Sequence, residues 1–336
     1  MDSLIKYLGQ YSEHIIAFFS GIANPNNRLF IPFIIISIAF AYLVYKRRMS
    51  QKSFLSFLFP KEVWSHPSAQ LDLKYFFFHG LIGQFILRGV AAMMLAIGVT
   101  VGLGSEFDLI NNSTSPYNQS LTVIIAVAFL IIVNLVADFA GFFIHYLQHK
   151  IPVLWQFHKV HHAGEVMHPI SNYREHPIDN LAYDIFVSLF QGLAWGVLLR
   201  IIGYKPSALE VFGLSVFMIL FNVSAYHLRH SHIWLKWPGI WSKVFASPAH
   251  HHVHHSRHPE HLDKNFAFMF PIWDVIFGTY VMPEDNRDIE FGIVEDSSEL
   301  NSCINLYLIP FRDAYRLFKK QPKTSKAVKP ELIPPY

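Results

Sequence analysis

The sequence predicts an all-α fold: an integral membrane helical bundle of about 4–5 spans, with a helical cap on the cytoplasmic side that carries most of the histidines. Three observations predict it. The 336 residues are 52% hydrophobic and only 15% charged, with 31 phenylalanines, a balance of membrane proteins rather than of two soluble domains. Long apolar runs recur along the chain and end in basic or turn-forming residues. Of the 20 histidines, 17 fall between His145 and His261, in clusters that repeat the spacings i, i+3 and i, i+4.

Composition also excludes several classes. A net charge of +3 is too small to suggest nucleic acid as a partner, and the single Cys303 rules out a disulfide framework or a cysteine-ligated iron–sulfur cluster within the chain. The N-terminus lacks the basic start and cleavage pattern of a secretory signal, so the first apolar span is expected to be retained.

Residues 1–28 are amphipathic, with Leu4, Ile5, Leu8, Ile15, Ile16, Phe18 and Phe19 as the apolar side, and read as a surface or shallowly dipping helix. Leu29 to Tyr45 is apolar and closed by Lys46, Arg47 and Arg48, which predicts a span with its C-terminal end in the cytoplasm. Tyr75 to Leu103 is the second expected span, with Arg88 inside it. The loop 104–120 carries acidic residues and no Lys or Arg, as on the non-cytoplasmic side. Leu121 to Ile144 runs back inward and delivers His145 and His149 at its cytoplasmic mouth. Leu181 to Ile202 and Ala208 to Tyr226, joined by the turn at Gly203–Pro206, form a hairpin that returns the chain to the same side. The Lys-rich end, Lys319 to Lys329, reads as solvated or facing headgroups, without chemistry.

The chemistry sits in three histidine clusters. These are His145 and His149, then His158, His161 and His162, then His251, His252, His254 and His255. On a helix these spacings put imidazoles on one face about 5–6 Å apart at Cβ, close enough to converge on a metal. Asp138 lies inside a span, seven residues before His145 and so on the same face. An unpaired carboxylate there is costly, which suggests that Asp138 accepts the free N–H of a ligand imidazole.

The order and spacing of these clusters resemble the sterol desaturase and fatty acid hydroxylase superfamily of membrane di-metal oxygenases. Arg174-Glu-His176-Pro177, Leu228-Arg-His230-Ser-His232, His261-Leu-Asp-Lys-Asn265 and Trp273-Asp274 before Gly278 add to the likeness, which covers about residues 130–282. The resemblance implies two iron ions, with zinc as the alternative, that activate O2 at a lipid C–H bond. By position it implies His145, His149, His158, His161, His162, His176, His230, His251, His254 and His255 as ligands. His250 and His252 project from the opposite face and read as packing or hydrogen-bonding groups. His227 and His232 stay open between ligand and support. His168, His258 and His261 sit in proline-containing turns, and His14, His66 and His79 lie outside the clusters as structural or exposed groups.

The expected organisation is an N-terminal membrane region over 1–128, a catalytic domain over 129–282 and a C-terminal cytoplasmic tail over 283–336. No flavin or nicotinamide fingerprint appears in the sequence, so the resemblance implies a separate electron donor of the cytochrome b5, ferredoxin or reductase type, with a lipid in the bilayer as substrate. Hydroxylation, desaturation and ether cleavage remain open. A histidine-rich metal transporter, or a metal-binding membrane protein without catalysis, is the competing class. The transporter predicts loose, glycine-rich histidine repeats and polar spans, and neither is seen. A zinc protease is weaker still, since no His-Glu-x-x-His occurs.

Overall fold

The computed structural model describes residues 2–25, 27–49, 51–86, 89–111, 114–205, 219–284 and 289–319, and these are helical with no strand beyond one isolated bridge between Ser256 and Phe291. The helices that matter here are α1 (Asp2–Ser20), α2 (Ile31–Arg47), α3 (Pro67–Phe78), α4 (Val90–Leu103), α5 (Gln119–Lys150), α6 (Pro152–His162), α7 (Pro177–Ile202), α8 (Pro248–His254), α9 (Ile272–Phe277) and α10 (Cys303–Phe318).

Among the described residues two helices, α5 with 32 residues and α7 with 26, are long and apolar enough to cross a bilayer. At about 1.5 Å per residue α5 is about 48 Å long, well beyond a hydrocarbon core of about 30 Å. The helix is thus longer than such a layer, and His145 and His149 lie in its last two turns. The expected second span is not one helix. It breaks at a π-helical turn, His79–Gly83, and resumes as the 14-residue α4 after Gly89 at φ 90°. Arg88 and the run 206–218 lie outside the described residues, so the hairpin expected over 181–226 is described only in part.

Helix α4 is held against α7 by glycines spaced four apart on both partners. A Cβ on Gly98 would collide with the carbonyl oxygen of Leu189, and one on Gly192 with that of Leu95; Gly102 and Gly196 face each other's helices in the same way. Two apolar helices gain little from hydrophobicity inside a bilayer, and close backbone approach through small residues supplies the packing instead. Leu103, Phe129, Val133 and Leu199 close the core between α4, α5 and α7.

The cap has its own core, where Tyr75 of α3, Val160 of α6 and Leu306 and Ile309 of α10 meet. The segment expected as a tail is thus a docked helix as far as Phe318. Lys159 of α6 reaches Asp313 of α10 at 2.8 Å, with both groups mostly buried. Lys320 to Lys329 lie outside the described residues.

Candidate metal centre

Helix geometry first sorts the imidazoles. His145 and His149 lie one turn apart at the end of α5, and Pro152 starts α6 directly after the extended Ile151, where its missing N–H costs nothing. This tight corner folds α6 back so that His158 and His162 face the α5 pair. One group then comprises His145, His149, His158, His162 and His254; a second comprises His161, His230, His251 and His255. Helices α6 and α8 each serve both groups, because neighbours in an i, i+1 or i, i+3 pair diverge enough to point at different centres. The rings of His162 and His255 stack at 4.3 Å where the groups meet.

Within each group the nearest ligand atoms lie within 4.8 Å of one another. Two nitrogens on opposite sides of one ion, each at about 2.1 Å, are about 4.2 Å apart, so each group is the size of a single coordination shell. In the first group Nε2 of His162 lies 3.2 Å from Nε2 of His149, His158 and His254. In the second, Nε2 of His251 lies 2.8 Å from that of His230 and 3.0 Å from that of His255.

The outer nitrogens identify what these inner ones are. His145 Nδ1 donates to the carbonyl of Phe266 at 2.9 Å, His254 Nδ1 to that of Lys264 at 2.9 Å, and His158 Nδ1 to Asp179 Oδ2 at 3.0 Å. His149 Nδ1 lies 3.3 Å from Asp263 Oδ1. Each proton is committed outward, which leaves Nε2 as a bare lone pair aimed at its neighbours. Burial, then crowding by other imidazoles, holds His162 and His255 well below the ordinary histidine range. Burial pushes His254 down to about 3. A cluster of neutral lone pairs at this spacing is repulsive by itself and is relieved by a cation, so the residues present fit two metal ions.

Nine of the ten ligands implied by sequence are brought together. The tenth, His176, is not. Its Nδ1 accepts the backbone N–H of Ile178 at 3.0 Å as the N-cap of α7, and its Nε2 donates to the carbonyl of Tyr307 at 3.0 Å, so neither nitrogen is free for a metal. His227 and His232 likewise spend Nε2 on the carbonyls of Arg28 and Phe57, at 2.8 and 2.7 Å. His250 takes the backbone N–H of Ser247 on Nδ1 at 3.0 Å, and His252 Nε2 lies 3.2 Å from the carbonyl of Leu228.

Asp138 is also placed differently. It accepts from the backbone of Met269 and Phe270 at 3.2 and 3.3 Å and from Trp273 Nε1 at 2.8 Å, and from no imidazole among the described residues. With Asp274, which takes the N–H groups of Phe266 and Ala267 at 2.8 and 2.9 Å, it pins the loop whose Phe266 carbonyl orients His145. The role expected for Asp138 falls instead to Asp179 and Asp263. Asp179 is further fixed by Gln148, whose Nε2 donates to Oδ1 at 2.7 Å. Behind the second group, Ser171 Oγ lies 3.0 Å from His230 Nδ1, and a buried Asp72 holds both His168 and Arg174, at 3.0 and 3.1 Å.

Residues 130–279 match the family model described as fatty acid hydroxylase. Alkylglycerol monooxygenase of Danio rerio is 31% identical over 154 residues, 45% of this chain and 30% of that protein. The Homo sapiens protein of that name is 27% identical over 164 residues, 46% of this chain and 31% of its own length. A Delta(7)-sterol 5(6)-desaturase of Aspergillus fumigatus is 26% identical over 309 residues, 86% of this chain and 78% of that protein. The match thus spans less than a third of the length of the two alkylglycerol monooxygenases. No solved structure matches the chain.

Proposed function

We propose, with residues 130–279 belonging to the sterol desaturase and fatty acid hydroxylase superfamily, that the chain is a multi-pass membrane oxygenase that hydroxylates or desaturates a lipid. The observation that carries this reading is the pair of imidazole groups, five and four strong, whose ring nitrogens converge, with the Nδ1 protons of His145, His158 and His254 in the first group committed outward. Nitrogen donors of this kind suit iron among other first-row metals. When bound, two iron ions would supply the activation of O2 for attack on an unactivated C–H bond.

The chain's own residues do the rest. Asp179, Asp263 and the carbonyls of Phe266 and Lys264 keep the ligand imidazoles in one tautomer and one orientation. Asp138 and Asp274 hold the 266–270 loop in register. Phe266 and Phe268 pack against His145, at ring distances of 5.5 and 5.3 Å, and exclude water from that side. In this reading the chain has about four to five spans, the histidines lie on the cytoplasmic side, and electrons come from a separate donor protein.

The test joins metal analysis with product analysis. Purified protein should carry close to two iron ions per chain, and cells with the gene should contain an oxidised lipid that cells without it lack, in an O2-dependent manner. One ion or none in active protein, or identical lipid profiles, would overturn the proposal.

A further inference from the structure

Helix α3 lies outside the stretch 130–279 that matches the family model, yet it grips the segment that stands behind the second group of imidazoles. Ser68, Asp72 and Tyr75 are spaced i, i+4 and i+7 and so share one face of it. Ser68 Oγ accepts the backbone N–H of Glu165 at 3.2 Å and Nη1 of Arg174 at 3.0 Å. Tyr75 donates its hydroxyl to the carbonyl of Glu175 at 2.7 Å. Between these two, Asp72 holds His168 Nε2 on Oδ2 at 3.0 Å and Arg174 Nε on Oδ1 at 3.1 Å.

The side chain of Asp72 is fully buried, and those of His168 and Arg174 are buried with it. A carboxylate taken out of water persists only when it is paired and hydrogen-bonded, and here each oxygen has its own partner. Because a carboxylate only accepts, the proton of His168 that faces it is on Nε2. The indole of Trp64 packs against the same imidazole at 5.0 Å and fixes its ring.

From His168 the hold passes to the metal centre. Ser171, in the short 3-10 helix Pro169–Tyr173 that His168 precedes, donates its hydroxyl to the carbonyl of His168 at 2.8 Å. Its single proton is then spent, and toward His230 Nδ1, 3.0 Å away, it can only accept. The proton of His230 is therefore on Nδ1, and its Nε2 faces Nε2 of His251 at 2.8 Å with a lone pair. A shift of the 168–171 turn takes Oγ from its place and releases that tautomer. The first group has other outer partners, Asp179, Asp263, Phe266 and Lys264, and Asp72 bonds to none of them among the described residues.

We propose that Asp72 is a positioning residue for the second metal ion alone, acting through His168 and Ser171 on His230. The carboxylate anchors both ends of the turn 168–174, and the turn keeps Ser171 as an acceptor behind His230. A helix distant in sequence from every ligand thus sets how tightly that ion is held. The inference rests on the two-ion part of the oxygenase reading and on nothing about the lipid.

The full chain in detergent micelles, loaded with ferrous iron under argon, is competed against a chelator, and the iron retained is read by elemental analysis. Asp72→Asn, with one oxygen for both His168 and Arg174, should release one of two ions about tenfold more readily and the other as the parent does. In the His161→Ala background, where the first group holds the remaining ion, the same substitution should change nothing, whereas a role in general stability would loosen that ion too. Ser171→Ala should loosen one ion about 10–100-fold, and Asp72→Asn added to it should loosen that ion no further, since both act through one hydroxyl. Tyr75→Phe, which removes a neighbouring contact of α3, should lower the melting temperature with both ions held. If Asp72→Asn does not fold, Ser171→Ala decides: loosening of a single ion supports the proposal, and loosening of both or of neither overturns it. Two ions in the parent that Asp72→Asn releases alike, or additive effects of Asp72→Asn and Ser171→Ala, overturn this inference alone; one ion or none in the parent sinks the two-ion reading and this inference with it.

Discussion

Asp179→Asn separates the residue that orients a ligand from the residue expected to do so. Asp179 serves two donors at once, His158 Nδ1 at 3.0 Å and Gln148 Nε2 at 2.7 Å. Asparagine has one oxygen for the two of them. If its oxygen faces Gln148, its amide N–H faces His158 and drives the proton to Nε2, which removes the lone pair a metal needs. If the oxygen faces His158, two amide donors meet at Gln148. The first orientation costs His158 its ligand lone pair and the second one buried hydrogen bond, at about 1–3 kcal/mol, and loss of such an outer partner typically weakens metal binding or activity about 10–100-fold. At about 1.4 kcal/mol per factor of ten, the two estimates agree. The assay is competition of the iron-loaded protein against a chelator, read by elemental analysis, with Asp138→Asn in parallel. Among the described residues Asp138 hydrogen-bonds to Met269, Phe270 and Trp273 and to no imidazole, so its variant should lose thermal stability while holding metal to within a few-fold of the parent. Asp179→Asn retaining metal like the parent, or Asp138→Asn losing as much as Asp179→Asn, would refute the assignment.

Further outcomes concern the ligand set, the glycine contact and pH. His161→Ala should lower bound iron towards one ion per chain and abolish turnover, whereas His176→Asn, which keeps a capping acceptor for Ile178, should retain both ions; equal iron loss in the two would return His176 to the ligand set. Gly192→Leu should prevent α4 from seating on α7 and cut the yield of folded protein sharply, while Gly9→Leu, with open space around it, should not; equal yields would show that the glycine contact is dispensable. Metal-free protein should melt at a constant temperature above about pH 6.5 and at falling temperatures from there towards pH 3. The sign follows from burial: His254 and His250 are each pushed down to about 3, so below the ordinary histidine value the unfolded chain binds protons that the folded one refuses, and a melting temperature equal at pH 7.5 and 5 would contradict it.

Much of the site is legible in the sequence, and more than the histidine spacing shows. Every His-Pro pair, at His66, His168, His176 and His258, is the N-cap of the helix that its proline begins. None of the nine converging histidines precedes a proline. The proline fixes the first helical residue and leaves the imidazole beside an orphan N–H; the Pro after His176 is therefore a local signal for a cap rather than a ligand. The two glycine pairs at i, i+4, Gly98 with Gly102 and Gly192 with Gly196, are equally visible as a packing motif.

Composition and i, i+3 or i, i+4 periodicity are local properties of one backbone, and they suffice to make the chain helical and apolar and to gather its histidines on helix faces. Tertiary packing was needed to settle which imidazole joins which group, which carboxylate stands behind it, and where the second apolar run breaks. His254 meets His162 across 92 residues and Asp138 reaches Trp273 across 135. The run 75–103 gives way where Gly80 lies against Phe18 and Gly83 against Tyr307. These outcomes depend on the angle at which α6 leaves α5 and on the seating of α8 and α10, and periodicity places a side chain on a face without saying what that face will meet.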